Sequence, residues 1–305
     1  MTVVVTGASG FLGSSLTAQL AASGARVIAI DSPGRISSGA TEHVGLDLLD
    51  ADALRAEFVA RLADDATSAV VIHLAGRGHV GSNRDDPRAA VAVNVVGTTN
   101  VLEACRHVGV RQVVFPSSAL VYRLPSRSPL REDAPVASTS VYAATKLASE
   151  ALLQAYAAEF GLSCAVARLG NVYGHGASAD SVASIVIRQA MAGGPVVVNT
   201  FAPIRDFIYR DDVVAGLIAL ARRTDATGFQ VFNLSSGIPT SIGELAETAC
   251  AVAGIGEKPT ERFGTTDPAS DSLVLSIERL TTSTGWTPTF SLESGLRATI
   301  AEGRG

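Results

Sequence analysis

Apolar residues fall in short, unbroken runs, separated by glycine turns and by stretches whose apolar positions recur every three or four residues. Val3 to Val5, Arg26 to Ile30, Ala69 to Gly76 and Val113 to Tyr122 are runs of the kind left by strands buried on both faces. Between them the spacing predicts a helix from about Leu12 to Ala22, closed by Gly24, and another capped by Asp50 and running through Leu62. A long helix is expected to start at Asp86-Pro87 and carry the NVVGTTN segment to Asn100; a further one runs from about Ser140 to Phe160. Strands alternating with helices predict an α/β chain with a doubly wound parallel sheet. Beyond residue 170 the alternation loosens, as expected of a smaller C-terminal lobe. There a strand begins at Arg205-Asp206, and Asp211-Asp212 lead a helix through Arg222. Ser241-x-x-Glu244 is a capping box, and a last helix starts near Leu292.

Composition narrows the classes. The chain is 47% hydrophobic and 17% charged, with 24 Lys+Arg against 29 Asp+Glu, a net charge of −5. It therefore offers no basic surface for nucleic acid or anionic membranes. No apolar run approaches the roughly 20 residues of a membrane span, and the run after Met1 is only Val3-Val4-Val5, too short for a signal peptide. Cys105, Cys164 and Cys250 lie far apart, without metal-ligand spacing, and read as reduced core thiols of a cytoplasmic protein. No metal site is expected.

The candidate chemistry sits in three places. Gly7-x-x-Gly10-x-x-Gly13 follows the first strand and opens the first helix, so that Gly7, Gly10, Phe11, Leu12 and Gly13 form a phosphate cradle at a helix N-terminus. Asp31 ends the second strand, where a carboxylate accepts both ribose hydroxyls of adenosine and repels a 2′-phosphate, favouring NAD over NADP. Arg35, four residues on, is a cation that would accommodate that phosphate. The third place is Tyr142-Ala-Ala-Thr-Lys146, with Ser117-Ser118 upstream at the end of an apolar run. Residues i and i+4 share a helix face, so the Lys146 ammonium is expected beside the Tyr142 phenol, favouring the phenolate and making the tyrosine a base. Leu74, Ala75 and Gly76 end a buried strand in small residues that let a cofactor pass close. His73 beside them reads as a hydrogen-bonded core residue, and Asn94, polar in an apolar helix, as satisfying buried backbone or cofactor-side groups.

Together these residues resemble the extended short-chain dehydrogenase/reductases, the group of nucleotide-sugar epimerases and dehydratases, from about residue 2 to about residue 300. The resemblance implies a Rossmann sheet binding NAD over residues 1–170, with later segments returning to it, and a mainly substrate-binding lobe over 171–305. It places adenine contacts at Asp47 and Leu48, makes Ser118 the catalytic serine with Ser117 as its neighbour at the cofactor, and assigns Ser118, Tyr142, Asn171 and Arg205 to the substrate. Tyr142 then takes a hydroxyl proton while hydride leaves the same carbon. Lys146 lowers the tyrosine pKa and holds the nicotinamide ribose; Ser118 hydrogen-bonds the reacting oxygen. An NAD-dependent epimerase acting at carbon 4 of a nucleotide-diphosphate sugar is the first expectation, as a homodimer. A dehydrogenase or ketoreductase of a sugar, sugar acid or hydroxy acid is the second, and a non-catalytic cofactor-binding regulator the third. Ala119-Leu120, where dehydratases carry Asp-Glu, argues against loss of water.

Three departures from the family pattern stand out. Arg123 replaces a glycine; Asn199 to Ile204 replace a glycine-rich turn; residues 265–275 hold no arginine, the nearest candidate being the slightly displaced Arg262. Arg205 has a second reading, as a partner of Asp211 or Asp212.

Overall fold

The computed structural model describes residues 1–37, 39–62, 64–124, 129–225, 227–264 and 272–304. The strands are β1 (Thr2–Thr6), β2 (Arg26–Asp31), β3 (Glu42–Gly45), β4 (Val70–His73), β5 (Gln112–Ser118), β6 (Ser163–Leu169) and β7 (Asn171–Tyr173). They continue as β8 (Val197–Val198), β9 (Ile204–Tyr209), β10 (Phe229–Leu234), β11 (Pro239–Ser241), β12 (Thr260–Glu261) and β13 (Ser272–Leu273). The helices are α1 (Phe11–Ala22), α2 (Ala51–Leu62), α3 (Val80–Asp85), α4 (Pro87–Val91), α5 (Gly97–Val108) and α6 (Val141–Phe160). After them come α7 (Val182–Met191), α8 (Arg210–Ala221), α9 (Ile242–Ala253), α10 (Glu278–Thr284) and α11 (Leu292–Glu302).

Seven strands form one sheet in the order β10-β6-β5-β4-β1-β2-β3. The pairs β1–β2, β1–β4, β2–β3 and β4–β5 are parallel, as the α/β reading expects. Every residue of β1 is buried, which is why its sequence is a continuous apolar run and not an alternation. The caps read from sequence form: Asp50 Oδ1 accepts from Ala53 N at 3.0 Å, and Ser241 and Glu244 make a reciprocal capping box.

Two elements depart from expectation. The long helix from Pro87 is interrupted by a π-helical turn, Ala92–Val96, between α4 and α5. The apolar run to Tyr122 is strand only as far as Ser118; Ala119–Val121 is a 3₁₀ turn, and Tyr122 then bridges Val136. Val121 and Tyr122 are buried in that form too, so hydrophobicity alone could not tell strand from turn. Residues 125–128 of the expected Pro- and Ser-rich loop lie outside the described residues.

The chain divides into two compact units. The first comprises 1–122, 135–168 and 214–232, the second 123–134, 169–213 and 233–305. In the first, Val4, Ile28, Val71, Val113, Phe115 and Val166 of the sheet pack against Leu54, Phe58, Val101, Leu102 and Leu153 of the helices. Cys105 and Cys164 belong to this core, and burial pushes both thiols up, Cys164 to about 12. All three cysteines are free and buried. Among the described residues no helix is long and apolar enough to cross a membrane.

In the second unit β9 runs between β11 and β13 and also pairs with β7. Two buried aspartates hold its connections. Asp206 accepts from Ser236 N and Oγ, from Gly237 N and from Leu275 N, which ties the turn after β10 and the chain after β13 to β9. Asp212 accepts from Thr289 N (2.9 Å), Thr289 Oγ1 (2.8 Å) and Phe290 N (3.0 Å), fixing the approach to α11. Asp212 is 2% exposed, and removing its carboxylate breaks the bonds from two part-buried N–H groups and a hydroxyl. Asp212→Ala is expected to lower unfolding stability by about 2–4 kcal/mol, read as a shifted denaturation midpoint of the second unit.

Candidate active site

The turn from β1 into α1 is too tight for side chains. At Gly7, φ is +68° and an added Cβ would lie 2.7 Å from Ala75 N; at Gly13 it would run into the Gly7 carbonyl and 2.7 Å from Ala8 Cα. The loop therefore presents backbone. Gly10 caps α1 without a side-chain hydrogen bond, and no acidic residue occupies the first turn, so the N–H groups of Phe11 and Leu12 and the positive end of the helix face outward together. A pyrophosphate fits this concavity, and Asp31 at the tip of β2 suits a ribose.

Asp31 is also held by its own chain. Its Oδ2 accepts from Ser9 N (2.6 Å) and Ser9 Oγ (2.5 Å), and its Oδ1 accepts from Ser32 N (2.9 Å). Ser9, which the sequence reading passed over, thus fastens the carboxylate to the glycine turn. Arg35 is exposed. Asp47 is exposed and accepts from Leu49 N, while Leu48 is buried beside it. At the end of β4, Ala75 N donates to Thr6 Oγ1 at 3.2 Å, Leu74 and Ala75 are half-buried, and Gly76 is exposed.

His73 is a core group. Its Nδ1 lies 2.6 Å from Thr6 Oγ1 and its Nε2 3.1 Å from Thr98 Oγ1, and burial lowers its pKa to about 3, so the ring is neutral at pH 7. Asn94 is buried within the π-helical turn. Its Oδ1 accepts from Arg77 N (2.7 Å), and its Nδ2 donates to Arg77 O (3.2 Å) and Thr145 Oγ1 (2.9 Å). Both ends of the amide are therefore spent on the loop after β4 and on α6, the structural role foreseen for it.

The end of β5 and the first turns of α6 bring the expected serines, tyrosine and lysine together. Ser140 caps α6 through Ala143 N at 3.1 Å, which sets Tyr142 in the first turn. Tyr142 is 8% exposed; burial raises its phenol pKa, and a hydrogen bond from the Ser118 hydroxyl lowers it. The lysine is aimed differently from expectation. Lys146 Nζ donates to Pro116 O at 2.9 Å and sits 4.6 Å from the centre of the Phe115 ring, and burial lowers its ammonium to about 8. The two causes acting on Tyr142 are burial and Ser118, so the cation that was to lower the phenol is directed at β5 instead.

Ser117, expected beside the cofactor, gives its hydroxyl to Glu150 Oε1 at 2.5 Å and is 3% exposed. Glu150 in turn binds Arg168 twice, from Nε at 3.1 Å and Nη2 at 2.7 Å, and the guanidinium lies 4.8 Å from the centre of the Tyr122 ring. The sequence reading missed Glu150. Its signal was present: Tyr142, Lys146 and Glu150 stand at i, i+4 and i+8, and a carboxylate on a helix face that carries two other polar groups is out of place in a simple core.

A family model described as "NAD dependent epimerase/dehydratase family" matches residues 3–235. The chain belongs to this family.

Among curated relatives, the UDP-glucose 4-epimerase of Mycolicibacterium smegmatis is 33% identical, over 98% of this chain and 97% of that protein. The UDP-glucose 4-epimerase of Thermotoga maritima, solved with UDP-glucose, superposes with a TM-score of 0.88 at 26% identity, covering 100% of this chain and 99% of that one. The Thermus thermophilus UDP-glucose 4-epimerase, solved with NAD, gives 0.86 at 27% identity, with coverage of 100% and 99%. As a family member the chain takes NAD.

In the second unit Asn171 begins β7, and Arg205 lies on β9 between Thr240 of β11 and Leu273 of β13, with Nη1 donating to Ile204 O. Asp211 pairs with Arg210 at 3.2 Å, and Asp212 is given to Thr289 and Phe290.

Asp31→Ala is expected to weaken NADH binding, measured by fluorescence, by a larger factor than NADPH binding, since only the unphosphorylated ribose uses that carboxylate. Unaltered protein that binds NADPH as tightly as NADH would overturn this role.

Proposed function

We propose that this chain is an NAD-dependent 4-epimerase of a nucleotide-diphosphate sugar. The observation that carries the reading is the buried Tyr142 phenol hydrogen-bonded by Ser118, with Lys146 one turn on, in a chain that matches a UDP-glucose 4-epimerase over nearly its whole length. When bound, NAD supplies a reversible two-electron acceptor for the sugar's carbon 4. The phosphates would be held at Gly10, Phe11 and Leu12, and the adenosine ribose at Asp31.

The remaining steps fall to side chains. Tyr142 takes the proton of the carbon-4 hydroxyl and returns one to the same oxygen after the carbon is inverted. Ser118 donates to that oxygen and spreads its developing charge. Lys146, held on Pro116 O, is the proposed holder of the nicotinamide ribose, and Ser118 is the group that lowers the pKa of a tyrosine whose burial alone raises it. Asn171 and Arg205 are the proposed ligands of the diphosphate, the amide through one donor and the guanidinium through two. Ala119 and Leu120 have no acid or base to move a proton, so the ketone is not drained by loss of water. The replaced turn at 199–204 and the lack of arginine in 265–275 favour a smaller substrate, such as a free sugar acid, for which the same side chains make a dehydrogenase.

We also propose a homodimer in the cytoplasm. Val91 and Val96, 47% exposed at either end of the π-helical turn, supply apolar surface for a second copy, and three free cysteines suit a reducing compartment. Sedimentation at the mass of one chain would exclude the dimer.

The deciding experiment incubates the protein with NAD and a panel of UDP- and TDP-sugars beside free sugar acids, following product identity and absorbance at the NADH band. Interconversion of 4-epimers without net NADH is expected. Tyr142→Phe should lower turnover on the order of 100- to 10,000-fold with NADH binding retained, and Arg205→Ala should weaken UDP binding about tenfold or more, about 1.4 kcal/mol. NADH accumulating from a sugar acid, with no UDP binding, would replace the epimerase by the dehydrogenase.

A further inference from the structure

Glu150 has no part in the reaction proposed above, yet it is 5% exposed and makes three charge-assisted hydrogen bonds. A buried carboxylate is costly unless it is paired and bonded, and Arg168, 6% exposed on β6, is the pairing group. Pairing alone does not require the third bond. Ser117 donates to the same oxygen that receives Arg168 Nε, so the carboxylate bridges β5 and β6 from α6. The bond to Ser117 falls one residue from Ser118, and the carboxylate one helical turn from Lys146.

We propose that Glu150 is a positioning residue of this site: it fixes the end of β5 through Ser117, which sets Ser118 against Tyr142, and it places a negative charge one turn from the Lys146 ammonium. The proposal rests on the reading of Ser118, Tyr142 and Lys146 given above. It deepens that reading by naming what holds the lysine charged.

The groups around Lys146 support this. From β5 it meets Pro116 O and the Phe115 ring, which carry no charge. From β4 the nearest titratable group is His73, whose pKa near 3 leaves it neutral. From the π-helical turn Asn94 is neutral, and on α6 itself Tyr142 is raised and so protonated at pH 7. Arg168 of β6 is spent on Glu150. Among the described residues Glu150 is the one carboxylate acting on the lysine: burial lowers the ammonium, and Glu150 raises it back to about 8. Without that charge the ammonium would lose its proton at a lower pH, with Arg168 uncompensated nearby pushing the same way.

The chain makes the test direct, because it contains two lysines, Lys146 and Lys258. Lysine labelled with ¹³C at Cε gives two side-chain signals, and Lys258→Arg assigns them. In the unaltered protein the Lys146 signal is expected to titrate near pH 8. In Glu150→Gln the midpoint should fall by about one unit or more, with turnover reduced on the order of 10- to 100-fold and NADH binding retained. Glu150→Asp, which keeps the charge, should hold the midpoint near that of the unaltered protein. A midpoint unmoved in Glu150→Gln overturns the proposal, whatever happens to turnover. Should Glu150→Gln not fold, Ser117→Ala cuts the bond to β5 and leaves both charges in place. Turnover lowered about tenfold, with NADH binding kept, then supports the positioning role, and full turnover overturns it. If the unaltered protein converts no nucleotide sugar, the epimerase reading fails, while the lysine titration still decides the role of Glu150.

Discussion

Everything at the candidate site hangs on how the C-terminal end of β5 is closed. The β4–β5 register ends at Val114, so on that edge Pro116 and the two serines lie past the ladder, while β6 flanks the other edge of β5 and Pro116 and Ser117 are buried. Polar groups left without partners there cost about 1–3 kcal/mol each. α6 supplies the partners: Lys146 takes Pro116 O, Glu150 takes Ser117, and Tyr142 meets Ser118. The same contacts that make the strand end tolerable therefore set the distance between the two proposed reacting hydroxyls. The cost moves to the ion pair behind them, since removing one member of a buried pair such as Glu150 and Arg168 destabilises by about 3–5 kcal/mol.

How far the chain can be read without coordinates depends on the range of each interaction. The glycine turn is local, and spacing plus the tight approach of backbone suffice to find it. The strands buried on both faces announce themselves as unbroken apolar runs, and the helix caps as short-range patterns. Tyr142 and Lys146 were legible as a pair because four residues make one turn. The lysine's aim was not, because Pro116 lies thirty residues away in sequence and a carbonyl has no side-chain signature. Nor could the sequence say which of two adjacent serines would meet Tyr142 and which Glu150. The bond between Ser9 and Asp31 escaped for the same reason, the two being neighbours only once β1 and β2 pair.

The second unit solves a related problem with aspartates. Arg205 and Asp206 are consecutive on β9, yet the carboxylate is spent on four donors from two connections, and burial raises its pKa against their pull. The aspartate stiffens the strand under Arg205 by bonding to the turn after β10 and to the chain after β13. Short strands of two or three residues, as β7, β11 and β13 are, gain order from such pins that their own ladders are too brief to give.

The π-helical turn at Ala92–Val96 amounts to one residue more than a regular helix would use to span the same rise. Its register is therefore a stored offset between α4 on one side and α5 on the other. Taking one residue out would let the segment wind as ordinary α-helix and leave the helix beyond it in place, since the extra residue is absorbed within the turn. Val101, Leu102 and Cys105 would keep their places in the core of the first unit. Asn94 would leave both Arg77 and Thr145 behind. A family tree of this sequence should accordingly tolerate insertions and deletions in its outer loops far more readily than in these five residues, although nothing in their composition marks them as special.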